Sequence, residues 1–191
     1  MNIDRRVYFA QATWGGPIKI GNSGDTKRRI HTLQGPLPFD LVEIGSFPGA
    51  MFQEMFLHSW FNEHRVRGEW FAPVPELWRA ALECRTHGEL DWVPRAQIRV
   101  CNYRYSDFPG LLKRYHIRPS TLSRAIGIDL PTVELYMRIN SAAPTRWLAA
   151  LCACVRKHHG TVVDIDVTNQ PTGGIIRLER DVAPLVEGEA A

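Results

Sequence analysis

The amino-acid sequence predicts an α/β protein: a small β-sheet flanked by helices, followed by an all-helical unit and a short C-terminal β-hairpin. Three observations support this prediction. β-forming residues alternate with turn residues at the start of the chain, and apolar residues recur at helical spacing between about residues 107 and 159. Two strand-like runs then follow. The 191 residues are enough for two small domains.

The N-terminal elements predict a sheet of three or four strands with three helices. Residues 6–11 and 18–21 form a hairpin around Gly15 and Gly16, and a helix over 25–34 begins at an N-cap, Asp25 or Ser23. A third strand covers 39–47, and an amphipathic helix covers 50–63. An extended segment at 70–71 and a helix over 76–84 complete the unit.

The rest of the chain predicts a linker, a helical unit and a tail. The first domain spans residues 1–87 and the linker spans 88–106, with a possible short strand at 98–103. Four helices are predicted within 107–160, over residues 107–115, 120–126, 131–139 and 145–158. Residues 161–191 form a hairpin, with strands at 161–167 and 175–178, and a frayed end.

Composition places the chain among ordinary globular proteins, with 45% hydrophobic and 23% charged residues. We expect no membrane span and no signal peptide, and therefore a cytoplasmic protein. Four cysteines make no disulfide framework at this length. Cys152 and Cys154 would point about 200° apart on a helix, which disfavours zinc. Cys152 instead belongs to an apolar stripe and is expected in the core.

One set of polar residues in the first domain fits phosphodiester hydrolysis. Tyr8 on the first strand is a candidate base or proton relay if neighbouring cations lower its pKa, and Lys19 on the paired strand can approach it. Arg29, one turn into the first helix, can grip a phosphate. Glu54 can hold one Mg²⁺ that keeps its waters, and His58 lies one turn beyond it.

These residues and their spacing resemble the GIY-YIG nuclease superfamily. The resemblance rests on Arg6-Val7-Tyr8, Lys19-Ile20-Gly21, Arg29, Glu54 and the run Arg67-Gly68-Glu69-Trp70-Phe71, and it covers about residues 6–78. A phage and bacterial branch of that superfamily often has Lys-Ile-Gly in the second motif. Two departures stand out: Arg6 replaces the glycine of the first motif, and Lys19 replaces the second tyrosine.

The resemblance implies a role for three of these residues. Tyr8 would act as base directly or through water, Arg29 would stabilise the transition state, and Glu54 would hold a single Mg²⁺ or Mn²⁺ ion. Lys19 and His58 complete the candidate catalytic set. Glu69 is a weaker candidate that could support the site.

Residues 119–138 fit the frame of a helix-turn-helix and resemble the Cro/repressor-like DNA-binding domains. Ser123 is small where two helices approach, Gly127 lies at the turn, and Pro131 falls in the first turn of the second helix. The residues expected to contact bases or phosphates are Lys113, Arg114, Arg124, Thr132, Glu134, Leu135 and Arg138. A plain helical bundle is the alternative.

We therefore expect a metal-dependent endonuclease acting on double-stranded DNA, in which a GIY-YIG head cuts and a helix-turn-helix domain positions it. The alternative is a sequence-specific DNA-binding transcriptional regulator with a degenerate, non-cleaving nuclease fold, which Lys19 favours. A homodimer is possible in either case.

Overall fold

The chain forms two compact units, Met1–Val93 and Pro94–Ala191. The computed structural model describes residues 5–94 and 104–160. The possible strand at 98–103 and the hairpin predicted within 161–178 lie outside these ranges. No helix in the described ranges has the length and apolar character needed to cross a bilayer.

The first unit contains a five-stranded antiparallel sheet in the order β3-β1-β2-β5-β4. Its elements in chain order are β1 (Arg6–Ala12), β2 (Gly15–Ser23), α1 (Thr26–Gln34), β3 (Leu41–Pro48), α2 (Met51–Trp60), a 3₁₀ turn (Asn62–His64), β4 (Arg65–Arg67), β5 (Trp70–Phe71) and α3 (Pro75–His87). The sequence predicted these α-helices and strands except β4, which has only three residues, so the sheet has five strands rather than three or four. The end of the helix predicted over 50–63 is instead a 3₁₀ turn.

The predicted hairpin of β1 and β2 is confirmed, with a tighter turn than expected. Ala12 pairs with Gly15, and Gln11 pairs with Ile18, so Gly16 and Pro17 form a bulge in β2. Gly15 and Gly16 have φ values of 101° and 93°, which a side chain would strain. The bulge restores the register that places Tyr8 opposite Gly21.

Strand alternation gives the sheet two different faces. Tyr8, Ala10 and Ala12 pack with Ile30 of α1 and Leu41 on one face. The opposite face carries Phe9 and Ile20, both fully buried, and the core of the unit lies on that side against α2 and α3. The face carrying Tyr8 is the one on which the candidate site is built.

Residues 88–93 belong to the first unit rather than to the predicted linker. Leu90 and Val93 are buried, and the ring of Trp92 lies 5.2 Å from the Trp60 ring and 6.2 Å from the Phe56 ring. The linker prediction was therefore wrong at its start. Apolar contact with α2, which no local pattern reveals, holds this segment.

The second unit is helical in its described part. A 3₁₀ turn (Tyr105–Asp107) precedes α4 (Phe108–Arg114), α5 (Pro119–Ile126), α6 (Leu130–Tyr136) and α7 (Thr145–His159). The third predicted helix, over 131–139, ends three residues earlier than expected. Every residue of α7 from 147 to 156 is buried, including Cys152 as predicted, so α7 is the central helix of the unit.

An aromatic cluster surrounds Trp147 on α7. Its ring centroid lies 4.7 Å from Tyr105, 5.2 Å from Phe108 and 6.0 Å from Tyr136, each ring nearly perpendicular to the indole. Edge-to-face contacts of this kind stabilise a core beyond the apolar area they bury. The cluster ties the beginning of the unit to α6 and α7.

Candidate active site

Tyr8 is buried in the sheet, with its ring over Gly21 of β2. A Cβ built on Gly21 would lie 2.5 Å from the Tyr8 hydroxyl oxygen, so only glycine leaves room for the phenol. Tyr8 itself is 1% exposed. The Tyr-x(12)-Gly spacing of the two motifs thus has a steric reason, because cross-strand pairing brings these two residues together.

The cation that acts on the Tyr8 hydroxyl is Arg29 of α1. Burial raises the pKa of Tyr8, and the hydrogen bond and charge of Arg29 oppose that rise without overcoming it. The condition under which Tyr8 would be a base, a pKa lowered by neighbouring cations, is therefore not met. At neutral pH the phenol keeps its proton, and it can donate a hydrogen bond or relay a proton. Arg29 is exposed at the start of α1, which Asp25 caps as predicted.

Lys19 is directed at Glu69, not at Tyr8. Lys19 is only 5% exposed, and its ammonium group forms an ion pair with the Glu69 carboxylate. The backbone carbonyl of Glu69 also accepts the Ile20 amide. The Lys19 nitrogen lies 5.8 Å from the centre of the Trp70 ring. Burial acts to raise the pKa of Glu69, but the hydrogen bond and charge of Lys19 outweigh it and hold that pKa below its usual value.

Glu54 is a partly buried carboxyl group on α2. Burial raises its pKa to about 7, and the nearby charge of Glu69 adds to the rise, while Lys19, Arg5 and Arg29 oppose it. Within residues 5–94, its carboxylate has no hydrogen bond or ion pair. Because its carboxylate has no ion-pair partner there, Glu54 is a candidate ligand for a cation.

His58 has a defined structural position behind the site. Its Nε2 donates a hydrogen bond to the Ile20 carbonyl oxygen at 3.1 Å, and its ring lies 5.4 Å from Phe71. Burial lowers the pKa of His58 to about 4, so the imidazole is neutral. This contact fixes α2, and with it Glu54, against β2. We interpret His58 as a positioning residue.

The guanidinium group of Arg65 is held by contacts within the first unit. Its Nε donates to Asn62 at 2.8 Å, its Nη2 donates to the His58 carbonyl at 2.9 Å, and its Nη1 donates to the Gly68 carbonyl. The guanidinium also stacks 4.6 Å from the centre of the Phe71 ring. These contacts shape the loop that presents Glu69.

The oxygen donors of the site fit a single hard cation. No group of three or more His, Cys, Asp or Glu side chains suited to a metal occurs in residues 5–94 and 104–160. Mg²⁺ does not need such a group, since it retains most of its waters and takes one or two carboxylates. Glu54 is the residue that would hold it, because Glu69 is already paired with Lys19.

In the second unit, the turn between α5 and α6 contains the left-handed glycine that the sequence predicts. Gly127 has a φ of 76°, and the Ser123 hydroxyl donates to the Ile128 carbonyl at 2.6 Å. Asp129 caps α6 by accepting the Thr132 amide and hydroxyl at 3.0 and 2.8 Å. The Thr132 hydroxyl, expected to contact DNA, is thus engaged within the helix.

The other residues expected to contact DNA lie on the surface of the second unit. Leu135 on α6 is 60% exposed. The exposed charged residues are Glu134 on α6, Arg138 just after it, Arg124 on α5, and Lys113 and Arg114 at the end of α4. Residues 104–160 contain nine Lys or Arg against three Asp or Glu, whereas residues 5–94 contain ten of each. The positive charge therefore lies in the helical unit.

Comparison with known proteins gives no relative. No family model matches the chain. No curated protein and no solved structure matches it either.

Glu69 and Arg6 are the site residues whose roles the sequence did not specify. Glu69 stands in the Gly-Glu-Trp-Phe run, which carried part of the family resemblance but did not indicate a partner for Lys19. Arg6 appeared only as a departure from the glycine of the first motif. Its guanidinium bonds Ser46, the residue opposite Tyr8 on β3, and that contact depends on a strand pairing 40 residues apart.

Proposed function

We propose that the chain is a metal-dependent DNA endonuclease that uses a GIY-YIG-type site in its first unit and a helix-turn-helix in its second. One observation carries the proposal. Five ionisable side chains from β1, β2, α1, α2 and the loop before β5 influence one another's charge around the middle of the β1–β2 pair; they are Tyr8, Lys19, Arg29, Glu54 and Glu69. A structural ion pair alone needs only two.

In the proposed reaction, a water oxygen forms a bond to phosphorus and the bond to the leaving strand oxygen breaks. Arg29, exposed and adjacent to Tyr8, grips the phosphate oxygens as charge accumulates on them. The Tyr8 hydroxyl relays the proton of the attacking water by passing its own proton to a second water beside Arg29, and the leaving oxygen takes up a proton from solvent. A divalent ion held by Glu54 supplies additional positive charge at the phosphate when bound.

Two features of the second unit support duplex DNA as the substrate. Its excess of basic residues suits a phosphate backbone. Its three-residue turn, with Gly127 in the left-handed region, suits a helix presented to a major groove. On this proposal Leu135, Glu134 and Arg138 face base edges, and Arg124 with Lys113 and Arg114 contacts phosphates.

The test is cleavage of mixed-sequence plasmid DNA by the full chain with Mg²⁺ or Mn²⁺. We expect Glu54→Ala and Arg29→Ala each to lower the nicking rate by about 100-fold or more, because each removes charge stabilisation at the reacting phosphate. Matched controls are Glu63→Ala and Arg28→Ala, which remove the same charges at exposed positions nearby and should cleave like the wild type. Cleavage that survives the double variant of Glu54 and Arg29 would refute the site.

A DNA-binding regulator without cleavage is the second candidate. The observation that favours it is the burial of Lys19 against Glu69 together with the protonated state of Tyr8, since both reduce the reactivity of the site. Sequence-selective binding without nicking under any divalent ion would decide for it. Binding that is unchanged when Arg124 and Arg138 are both replaced by alanine would refute the role of the second unit under either proposal.

A further inference from the structure

An open cleft lies along β3, the edge strand of the sheet next to β1. It has a volume of about 520 Å³. Its polar and charged lining comes from Arg6 of β1, Glu43 and Ser46 of β3, and Cys84 and Arg85 of α3. None of the residues assigned to the candidate reaction lines it, so the cleft is a separate feature of the first unit.

Arg6 presents a fixed cation with unused donors in this cleft. Its Nε donates to the Ser46 hydroxyl at 3.1 Å and its Nη2 donates to the Ser46 carbonyl at 2.9 Å. Within the described part of the first unit, its Nη1 group has no partner. The guanidinium is half-buried, so its orientation is set before any ligand arrives. A held guanidinium with free N–H groups is a ready binder of phosphate or carboxylate oxygens.

The charge of the cleft also favours an anion. Its lining includes two basic residues, Arg6 and Arg85, and one acidic residue, Glu43. Burial raises the pKa of the Cys84 thiol to about 12, so this group is neutral and adds no negative charge. A neutral thiol is also a poor ligand for metals.

The cleft adjoins the candidate reaction site across a single strand. Ser46, which anchors Arg6, is directly opposite Tyr8 in the β1–β3 pairing. Opposed residues of antiparallel strands are about 5 Å apart, and one DNA strand carries a phosphate every ~3.4 Å along the helix axis. On the proposed function, a DNA strand bound with its scissile phosphate at Arg29 continues across β1 to the β3 edge, where the Arg6 cleft lies.

From these contacts we propose that the Arg6–Arg85 cleft binds a backbone phosphate of the DNA strand that is cut, close to the scissile phosphate. The proposal rests on the proposed function in one respect, that DNA is the ligand. It does not require cleavage. Arg6, which replaces a motif glycine, is thus a specific contact of this chain and not a neutral substitution.

The experiment measures binding of the full chain to a short DNA duplex in EDTA, between 50 and 200 mM salt. For Arg6→Gln we expect about tenfold weaker binding at 100 mM salt. The slope of log affinity against log salt should become shallower by about 0.9, the value for one lost phosphate contact. Arg79→Gln, an exposed arginine on the same helix as Arg85 but outside the cleft, is the control and should keep both quantities.

Two further variants separate a phosphate contact from a structural effect. Arg6→Lys keeps the charge but loses the fork held by Ser46, so it should retain the wild-type salt slope and bind with intermediate affinity. Arg85→Gln changes an exposed side chain, leaves the Arg6–Ser46 bonds intact, and should also flatten the slope. If Arg6→Lys flattens the slope as much as Arg6→Gln, the effect is structural and the proposal is overturned.

Inorganic phosphate alone is the second probe, followed by amide chemical shifts of Ser46 and its neighbours. Shifts that saturate in the wild type but not in Arg6→Gln, with unchanged DNA slopes, would assign the cleft to a free anion and overturn the DNA proposal. A chain that binds DNA through Arg6 but never cleaves it refutes the nuclease proposal and supports this one. If the wild-type chain cleaves DNA and Arg6→Gln keeps the wild-type slope of log affinity against log salt, the nuclease proposal is supported and the Arg6 proposal is refuted.

Discussion

At the scale of single residues, two neighbouring groups on α2 have opposite responses to pH. The pKa of His58 falls to about 4 from its ordinary 6.5, because burial disfavours the charged imidazole. The pKa of Glu54 rises to about 7 from its ordinary 4.5, because burial disfavours its charged form as well. Between those values, protonation of His58 favours unfolding, whereas protonation of Glu54 favours the folded state.

The Glu54 effect can be isolated by comparing wild type with Glu54→Gln in EDTA. Between pH 4.5 and 7 the folded state binds the Glu54 proton more tightly than the unfolded state does. The contribution of Glu54 to the free energy of unfolding therefore falls as the pH rises. A pKa difference of this size corresponds to roughly 3 kcal/mol. We expect Glu54→Gln to gain up to that amount relative to wild type on going from pH 4.5 to 7.

Urea titrations followed by tryptophan fluorescence measure this difference, since five of the six tryptophans lie in the first unit. The control is Glu63→Gln, an exposed carboxyl group on the following 3₁₀ turn, which should track the wild type at every pH. A constant difference between wild type and Glu54→Gln across this range would contradict the burial argument.

At the scale of elements, the contact between α3 and β3 depends on one glycine. A Cβ on Gly45 would lie 2.1 Å from the Ala81 carbonyl oxygen, a backbone atom that cannot rotate away. Gly45→Ala should therefore push α3 from the sheet and destabilise the first unit by about 3 kcal/mol. Gly35→Ala, where the nearest atom is 3.6 Å from the new Cβ, should change stability by only a few tenths of a kcal/mol. Denaturant midpoints for the two variants check both values.

Local signals in the sequence were sufficient for most elements. The β1–β2 hairpin, the Asp25 cap of α1 and the turn at Gly127 each depend on neighbouring segments of the chain, and each was predicted. The strand β4 was not, because its three residues are extended only through pairing with β5. The attachment of residues 88–93 to α2 likewise depends on contacts far apart in sequence.

The same distinction applies within the candidate site. Motif spacing indicated Tyr8, Arg29 and Glu54, and the structure brings them into electrostatic contact. Motif spacing did not indicate that Lys19 pairs with Glu69, 50 residues away. It also did not indicate that burial outweighs Arg29 in setting the pKa of Tyr8. Ion pairing between distant residues and burial of a side chain depend on how the folded chain packs, and motif spacing alone does not reveal them.

At the scale of the whole molecule, two compact units predict two separate unfolding transitions. Trp147→Ala removes the centre of the aromatic cluster in the second unit and should cost that unit about 3–5 kcal/mol. Circular dichroism should then show an early loss of helix, while the fluorescence transition of the first unit keeps its midpoint. A single shifted transition seen by both probes would show that the units unfold together.

The uneven charge of the molecule also has a consequence at this scale. The first unit is balanced in its described part, and the helical unit carries the excess of basic residues. On the proposed function, attraction to DNA over a distance therefore acts mainly on the helical unit, and salt screens it. On the proposed function, contacts such as those of Arg29 and Arg6 form only after that first encounter.

The two edges of the sheet differ in how they would respond to a second extended chain. β4 offers only three residues, and two of them are arginines, so another copy of this edge would be repelled. β3 is eight residues long and carries an irregular register against β1, with Glu43 exposed and a proline at its end. Insoluble cross-β growth thus has little backbone to pair with at β4. In a heated or partly unfolded sample, cross-β growth would begin at β3. This is the edge strand against which α3 packs, through the contact between Gly45 and Ala81.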